Sequence, residues 1–126
     1  MSSTFQQNVY TFKADGVIPK GSAVKAGSDN DHVAIGAANT NRCLGIAQSA
    51  STAAEDAIEV AVPGGGAKAL LGETVAAGDD LCSHTDGSLV KVNLEGDQIL
   101  ARALEGGDAG ELISVHVYFA TAHAGQ

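Results

Sequence analysis

Four histidines, His32, His84, His116 and His123, are the residues best suited to proton transfer or metal ligation. None lies within four positions of another, and a zinc site would have to be assembled from distant loops. Each is therefore assigned a surface or rim position. Asp29 with Asp31, or Asp79 with Asp80, offers paired carboxylates to a hard cation. Neither pair has the ligand count of a calcium loop, so turn formation and solubility are the assigned roles. Gly64-Gly65-Gly66 precedes Ala67-Lys68 but lacks the G-x-x-x-x-G-K-S/T spacing of a phosphate loop. No G-x-S-x-G elbow is present. Cys43 sits in the apolar run Arg42-Cys43-Leu44-Gly45-Ile46, and Cys82 has no C-x-x-C partner. Both read as buried, inert thiols of a reducing compartment. No catalytic residue, metal site or cofactor is assigned, and the protein is not read as an enzyme.

The elements that carry these residues follow from periodicity. Ile58, Val60 and Val62 alternate with Glu59, and Val90, Val92 and Leu94 with Lys91 and Asn93. Ile113, Val115, Val117 and Phe119 alternate with Ser114, His116 and Tyr118. Alternation with period two, bounded by turn residues, predicts half-buried strands. Ile58, Val60, Val62, Val115, Val117 and Phe119 are the expected core, with Leu44, Ile46, Leu81, Val90 and Leu100 beside them. Ser49 to Asp56 is compatible with one helical turn or a polar loop. Pro63-Gly64-Gly65-Gly66 reads as a flexible connection.

An internal repeat organises the strands. Ile18 to Val24 matches Val75 to Leu81, Leu44 to Ala47 matches Leu100 to Ala103, and Ile58 to Val62 matches Ile113 to Val117. The order is kept and the offset is nearly constant. The prediction is an all-β fold, a small barrel or sandwich built from two quasi-repeated β units, residues 17–62 and 74–117. Gly21 and Gly78 occupy equivalent turns, where glycine accepts a positive φ without steric penalty. The single β domain is drawn over 14–126.

Residues 1–13 are predicted to form a polar N-terminal arm. Phe5, Tyr10 and Phe12, three of the chain's five aromatics, lie in it. They are candidate anchors on a neighbouring subunit, with His116 and Tyr118 as further contact candidates on the polar side of their strand. The first ten residues show neither the basic nor the apolar segment of a signal peptide. No apolar run approaches the roughly 20 residues of a membrane-spanning helix. With 15 acidic and 7 basic residues the net charge is −8, which disfavours nucleic acid and anionic membranes as partners. Alanine and glycine supply 22 and 16 of the 126 residues. So small-residued a core is expected to gain buried area by self-association, as a trimer or, next, a dimer.

The succession of signals resembles a family. A short arm leads to Val17-Ile18-Pro19-Lys20-Gly21-Ser22-Ala23-Val24, then to Leu44-Gly45-Ile46-Ala47, and then to a strand ending in the Gly-rich turn, Ile58 to Gly66. Val75-Ala76-Ala77-Gly78-Asp79-Asp80-Leu81, the turn Asp86-Gly87, an Ala-rich strand over Leu100 to Leu104 and the closing strand Ile113 to Phe119 follow. Over roughly residues 14–120 this resembles the small capsid cement, or head decoration, proteins of tailed bacteriophages. The resemblance implies a non-enzymatic virion protein, assembled in the host cytoplasm. It would bind the outer capsid surface, with the major capsid protein and its own copies as partners, and would stabilise contacts between capsid subunits. Two other classes fit parts of the sequence. Val75 to Leu81 also resembles the second half of a biotinyl or lipoyl carrier domain, for which Lys68 in Ala67-Lys68-Ala69 is the nearby lysine. A small β binding module is the other.

Overall fold

The computed structural model describes residues 8–36, 43–92 and 98–121. The described residues form ten strands and no helix. The first five are β1 (Val9–Ala14), β2 (Ala23–Ala26), β3 (His32–Ile35), β4 (Cys43–Ala47) and β5 (Ala57–Ala61). They close a barrel in the order β1-β3-β2-β4-β5. The second five are β6 (Gly66–Leu70), β7 (Asp80–Ser83), β8 (Leu89–Lys91), β9 (Gln98–Ala103) and β10 (Leu112–Thr121). They form a sheet in the order β6-β10-β9-β7-β8.

Both sets have one cyclic order, so the all-β architecture of two repeated units holds. Each pairing of the first set has its counterpart in the second, β1 with β5 as β6 with β10, and β2 with β4 as β7 with β9. The closing parallel pair of the barrel joins Lys13 to His32 and Ala14 to Val33. In the second unit it shrinks to one parallel bridge, Leu71 to Leu89. The lone antiparallel bridges Ile18–Ser51 and Val75–Gly107 also correspond.

The interiors repeat as well. Ile18, Val24, Val33, Ile58 and Val60 fill the first barrel, and Val75, Leu81, Leu89, Ile113 and Val115 fill the second unit. The second cluster continues into Ala23, Cys43, Ile46 and Ala61, which lie on the outer face of the first barrel. Those residues alternate with the inward-facing Val24, Ala47 and Val60. β4 is consequently buried on both faces, and its run Leu44-Gly45-Ile46-Ala47 reads as continuously apolar instead of alternating. The two units share this apolar contact.

Several expectations are corrected. Residues 9–13 belong to β1, which pairs residue by residue with β5 from Val9–Ala61 to Lys13–Ala57. The barrel needs this strand to close, so these residues are not a free arm. The connection at Pro63 to Gly66 is tied down: Gly64 donates to the Val117 carbonyl at 3.0 Å, and Val117 donates to the Gly65 carbonyl at 2.9 Å. Of the two alternatives for Ser49 to Asp56 the loop holds, and in it the Asp56 carboxylate accepts from the Thr52 and Ala53 amides. Those bonds hold the Asp56 carboxyl below its ordinary range. β8 has the opposite phase: Leu89 is fully buried and Val90 half-buried. Val62, Leu44 and Phe119 are half-buried against the clusters. Asn93 and Leu94 lie outside the described residues.

Val117 is fully buried in the shared cluster. Val117→Ala is expected to cost about 1–3 kcal/mol, through lost burial and the cavity left behind. Urea unfolding checks this: the midpoint should fall at unchanged slope.

Candidate functional site

Of the candidate contact residues, Phe5 lies outside the described residues, as does His123 of the four histidines. Tyr10 and Phe12 project from the same side of β1, in register with Val60 and Ile58. Phe12 packs against the first barrel's own cluster and is used within the fold. Tyr10 is 62% exposed. Gly21 and Gly78 have φ of +88° and +93°.

His116 and Tyr118 lie on β10, where the buried Ile113, Val115 and Val117 alternate with outward positions. The outer face of the five-stranded sheet brings further polar groups to them. Arg102 of β9 is the register partner of His116. Its Nε donates to Asp80 Oδ1 at 3.1 Å, and its NH2 group donates to the Tyr118 hydroxyl at 3.2 Å. The Tyr118 hydroxyl donates to the same Asp80 oxygen at 2.7 Å. The guanidinium stands 5.3 Å from the Tyr118 ring centroid, within cation–π range. Burial, and then the Asp80 carboxylate, push the Tyr118 phenol up, and the bond to Asp80 raises Arg102 further. The phenol therefore stays protonated and the guanidinium charged at neutral pH.

On the β6 side, Lys68 Nζ donates to Ser114 Oγ at 2.9 Å and lies 3.9 Å from Glu105 Oε2. The Ser114 amide bonds Glu105 and holds its carboxyl below the ordinary range. His116 is exposed between the two groups and faces Gly66 of β6 in register. The result is a preorganised polar face: charges are paired, donors are fixed, and Tyr118 and Arg102 are residue types that anchor protein interfaces. Such a face can recognise a partner.

His84 is exposed, as assigned from sequence. His32 is not: it is 7% exposed and lies among Asp29, Asp31 and Glu55. Its neighbours include a residue 23 positions away on a separate loop, and no local spacing signals that contact. Among the described residues no group of three His, Cys, Asp or Glu side chains is arranged to hold a metal ion. Cys43 and Cys82 are buried and form no disulfide, and burial pushes the Cys43 thiol up. A thiol so protonated is a poor nucleophile.

Two units also meet through a side-chain amide. Gln48 Nε2 donates to the Lys68 carbonyl at 3.0 Å, and the Lys68 amide donates to Gln48 Oε1 at 2.9 Å. Beside it, the Leu70 amide donates to the Gly21 carbonyl at 2.9 Å.

No protein-family model and no curated protein matches the chain. Among solved structures, the chain is similar to the N base of the head fiber gp8.5 of bacteriophage phi29. The TM-score is 0.70 at 17% sequence identity, over 94% of this chain and 99% of that one. At that identity the likeness is one of fold.

Proposed function

We propose that the protein is a structural component of a phage virion. It binds the outer surface of the capsid, stabilises contacts between major capsid subunits, and carries out no catalysis. The observation that carries this reading is the fold shared, over almost the whole of both chains, with the base of a phage head fiber. The residues agree with it. The polar face around Arg102, His116 and Tyr118 suits recognition of a protein surface, and Tyr10 is an exposed aromatic at the barrel's edge. The charge of −8 is compatible with a protein target and opposes binding to nucleic acid or an anionic membrane. Several copies engaging neighbouring capsid subunits at once, as a trimer in our reading, raise the effective affinity of individually weak contacts.

The test is co-sedimentation with undecorated, expanded shells of the cognate phage. The parent protein should pellet with the shells. A variant carrying Tyr10→Ala together with Tyr118→Ala should pellet about tenfold less at a fixed concentration, as expected for the loss of about 1.4 kcal/mol of anchoring. Parent protein that stays in the supernatant at all concentrations overturns the proposal. The carrier-domain reading loses its support from the position of Lys68. That lysine is in the middle of β6, its ammonium bonded to Ser114, and not at a hairpin tip.

A further inference from the structure

His32 opens β3 at the end of the first barrel where the 27–31 and 52–56 loops meet. Its Nδ1 is 2.9 Å from Asp31 Oδ1 and 3.9 Å from Asp29 Oδ2, and its Nε2 is 2.8 Å from Glu55 Oε2. A neutral imidazole has one N–H and one lone pair. It can donate to one of these carboxylates, and then turns its lone pair toward the other. Both short contacts are donor–acceptor pairs only when both ring nitrogens carry protons. The bond to Glu55, opposed by burial and aided by Asp31, raises the ring above the ordinary histidine value.

The surrounding charges are accounted for. Asp15 accepts from the amide and hydroxyl of Ser28, and Asp56 from the 52–53 amides. Lys13 is the register partner of His32 on β1. The ring borders a surface depression lined by Ser28, Asp29, Asn30 and Asp31, which gives protons a path from solvent.

Glu55 adds an independent sign. Its φ is +74°, and among the described residues it alone, apart from glycines, has a positive φ. The matching turn of the second unit, on the repeat's offset of 55, has Gly110 with φ +88°. A side chain is disfavoured in this region, and here that side chain reaches His32. The Glu55 amide meanwhile donates to the Ala14 carbonyl of β1 at 2.7 Å. The residue thus joins β1 through its backbone and β3 through its carboxylate, across the two-pair junction that closes the barrel.

We propose that His32 and Glu55 form a pH-operated latch that fastens the 52–56 loop across the β1–β3 closure of the first barrel. The imidazolium holds both carboxylates. Loss of its proton turns a lone pair toward one of them and takes the charge from the bond to the other, so that in either tautomer less holds Glu55 in its disfavoured conformation. Because the folded-state value is raised, the stabilisation is complete below the unfolded value of about 6.5 and is lost as pH rises through the folded one.

The experiment follows the His32 ring protons by NMR in the full chain, with Glu55→Gln as the variant that keeps shape and an acceptor oxygen. The ring should titrate above 6.5 in the parent and at lower pH in E55Q. Thermal unfolding between about pH 6 and pH 9, a range spanning the histidine window, supplies a second readout with Glu55→Gly, which removes latch and strain together. E55G should be less stable than the parent at the acid end, and the difference should vanish or reverse at the alkaline end. A parent ring titrating at or below 6.5, or a parent–E55G difference independent of pH, overturns the latch.

Discussion

Deleting residues 2–12 is expected to unfold the first barrel, whereas deleting residues 2–7 leaves it folded. The longer deletion removes four of the five residues of β1 that are in register with β5, from Val9 to Phe12. It takes away the half-buried Phe12 side chain packed on the Ile58 and Val60 cluster, a contact worth about 1–2 kcal/mol at that burial. It also strands one edge of β5 without a partner. Together these losses rival the roughly 5–15 kcal/mol that a domain has in total. The shorter deletion stops before Asn8, whose carbonyl accepts from Val62 and whose side-chain amide donates to the Pro63 carbonyl. Circular dichroism and urea titration of the two truncations should separate a cooperative transition from none. With the fold intact, the 2–7 deletion isolates what those residues add to shell binding. A cooperative transition in the 2–12 deletion would show that β1 is dispensable.

The second large effect is expected at Gly21, with its repeat partner Gly78 as the internal control. Both have a left-handed backbone, so alanine at either position carries a conformational cost of about 1–2 kcal/mol. The surroundings differ. A Cβ at Gly78 meets nothing within 4 Å, whereas at Gly21 it would stand 2.5 Å from Leu112 Cδ2 and 2.6 Å from the Leu70 backbone nitrogen. That nitrogen donates to the Gly21 carbonyl, so relieving the clash disturbs a bond between the units. Gly21→Ala should therefore cost about 2–5 kcal/mol, summing strain and overpacking, against about 1–2 for Gly78→Ala. Denaturant midpoints of the two variants decide it. Equal losses would mean that the close approach at Gly21 is relaxed without cost.

The repeat was legible because it is carried by inward-facing residues. Val24 and Leu81, Ile58 and Ile113, and Val60 and Val115 keep their character, since each fills the same place in its own unit. What divides the two units was not legible. Ala23 and Ala61 look like the tolerated small outer residues of a half-buried strand, and only the packing of the second unit over them shows that they are core; Ile46 was expected in the core, but nothing local says that the second unit covers it. β1 was hidden because Tyr10 and Phe12 are separated by threonine in a polar context, and their strand partner is some 46–50 positions away. At the candidate site, alternation along β10 placed His116 and Tyr118 outward. Arg102 and Asp80, which fix Tyr118, required the register of β9 and β7, which no local pattern encodes. The His32–Glu55 contact escaped for the same reason, being made between two loops.

Gln48 gives the molecule a property that neither unit has alone. β6 is the end strand of its sheet, and the amide and carbonyl of Lys68 point away from β10. An exposed pair of this kind is a template on which a stray strand of another chain can dock, the first step of edge-to-edge aggregation. The Gln48 side chain presents one acceptor and one donor there, in the place a peptide group of an incoming strand would take, and Gly21 occupies the next position through the Leu70 amide. The first barrel thereby acts as a stopper on the second sheet, ending the ladder with groups that cannot pass it on to a further chain.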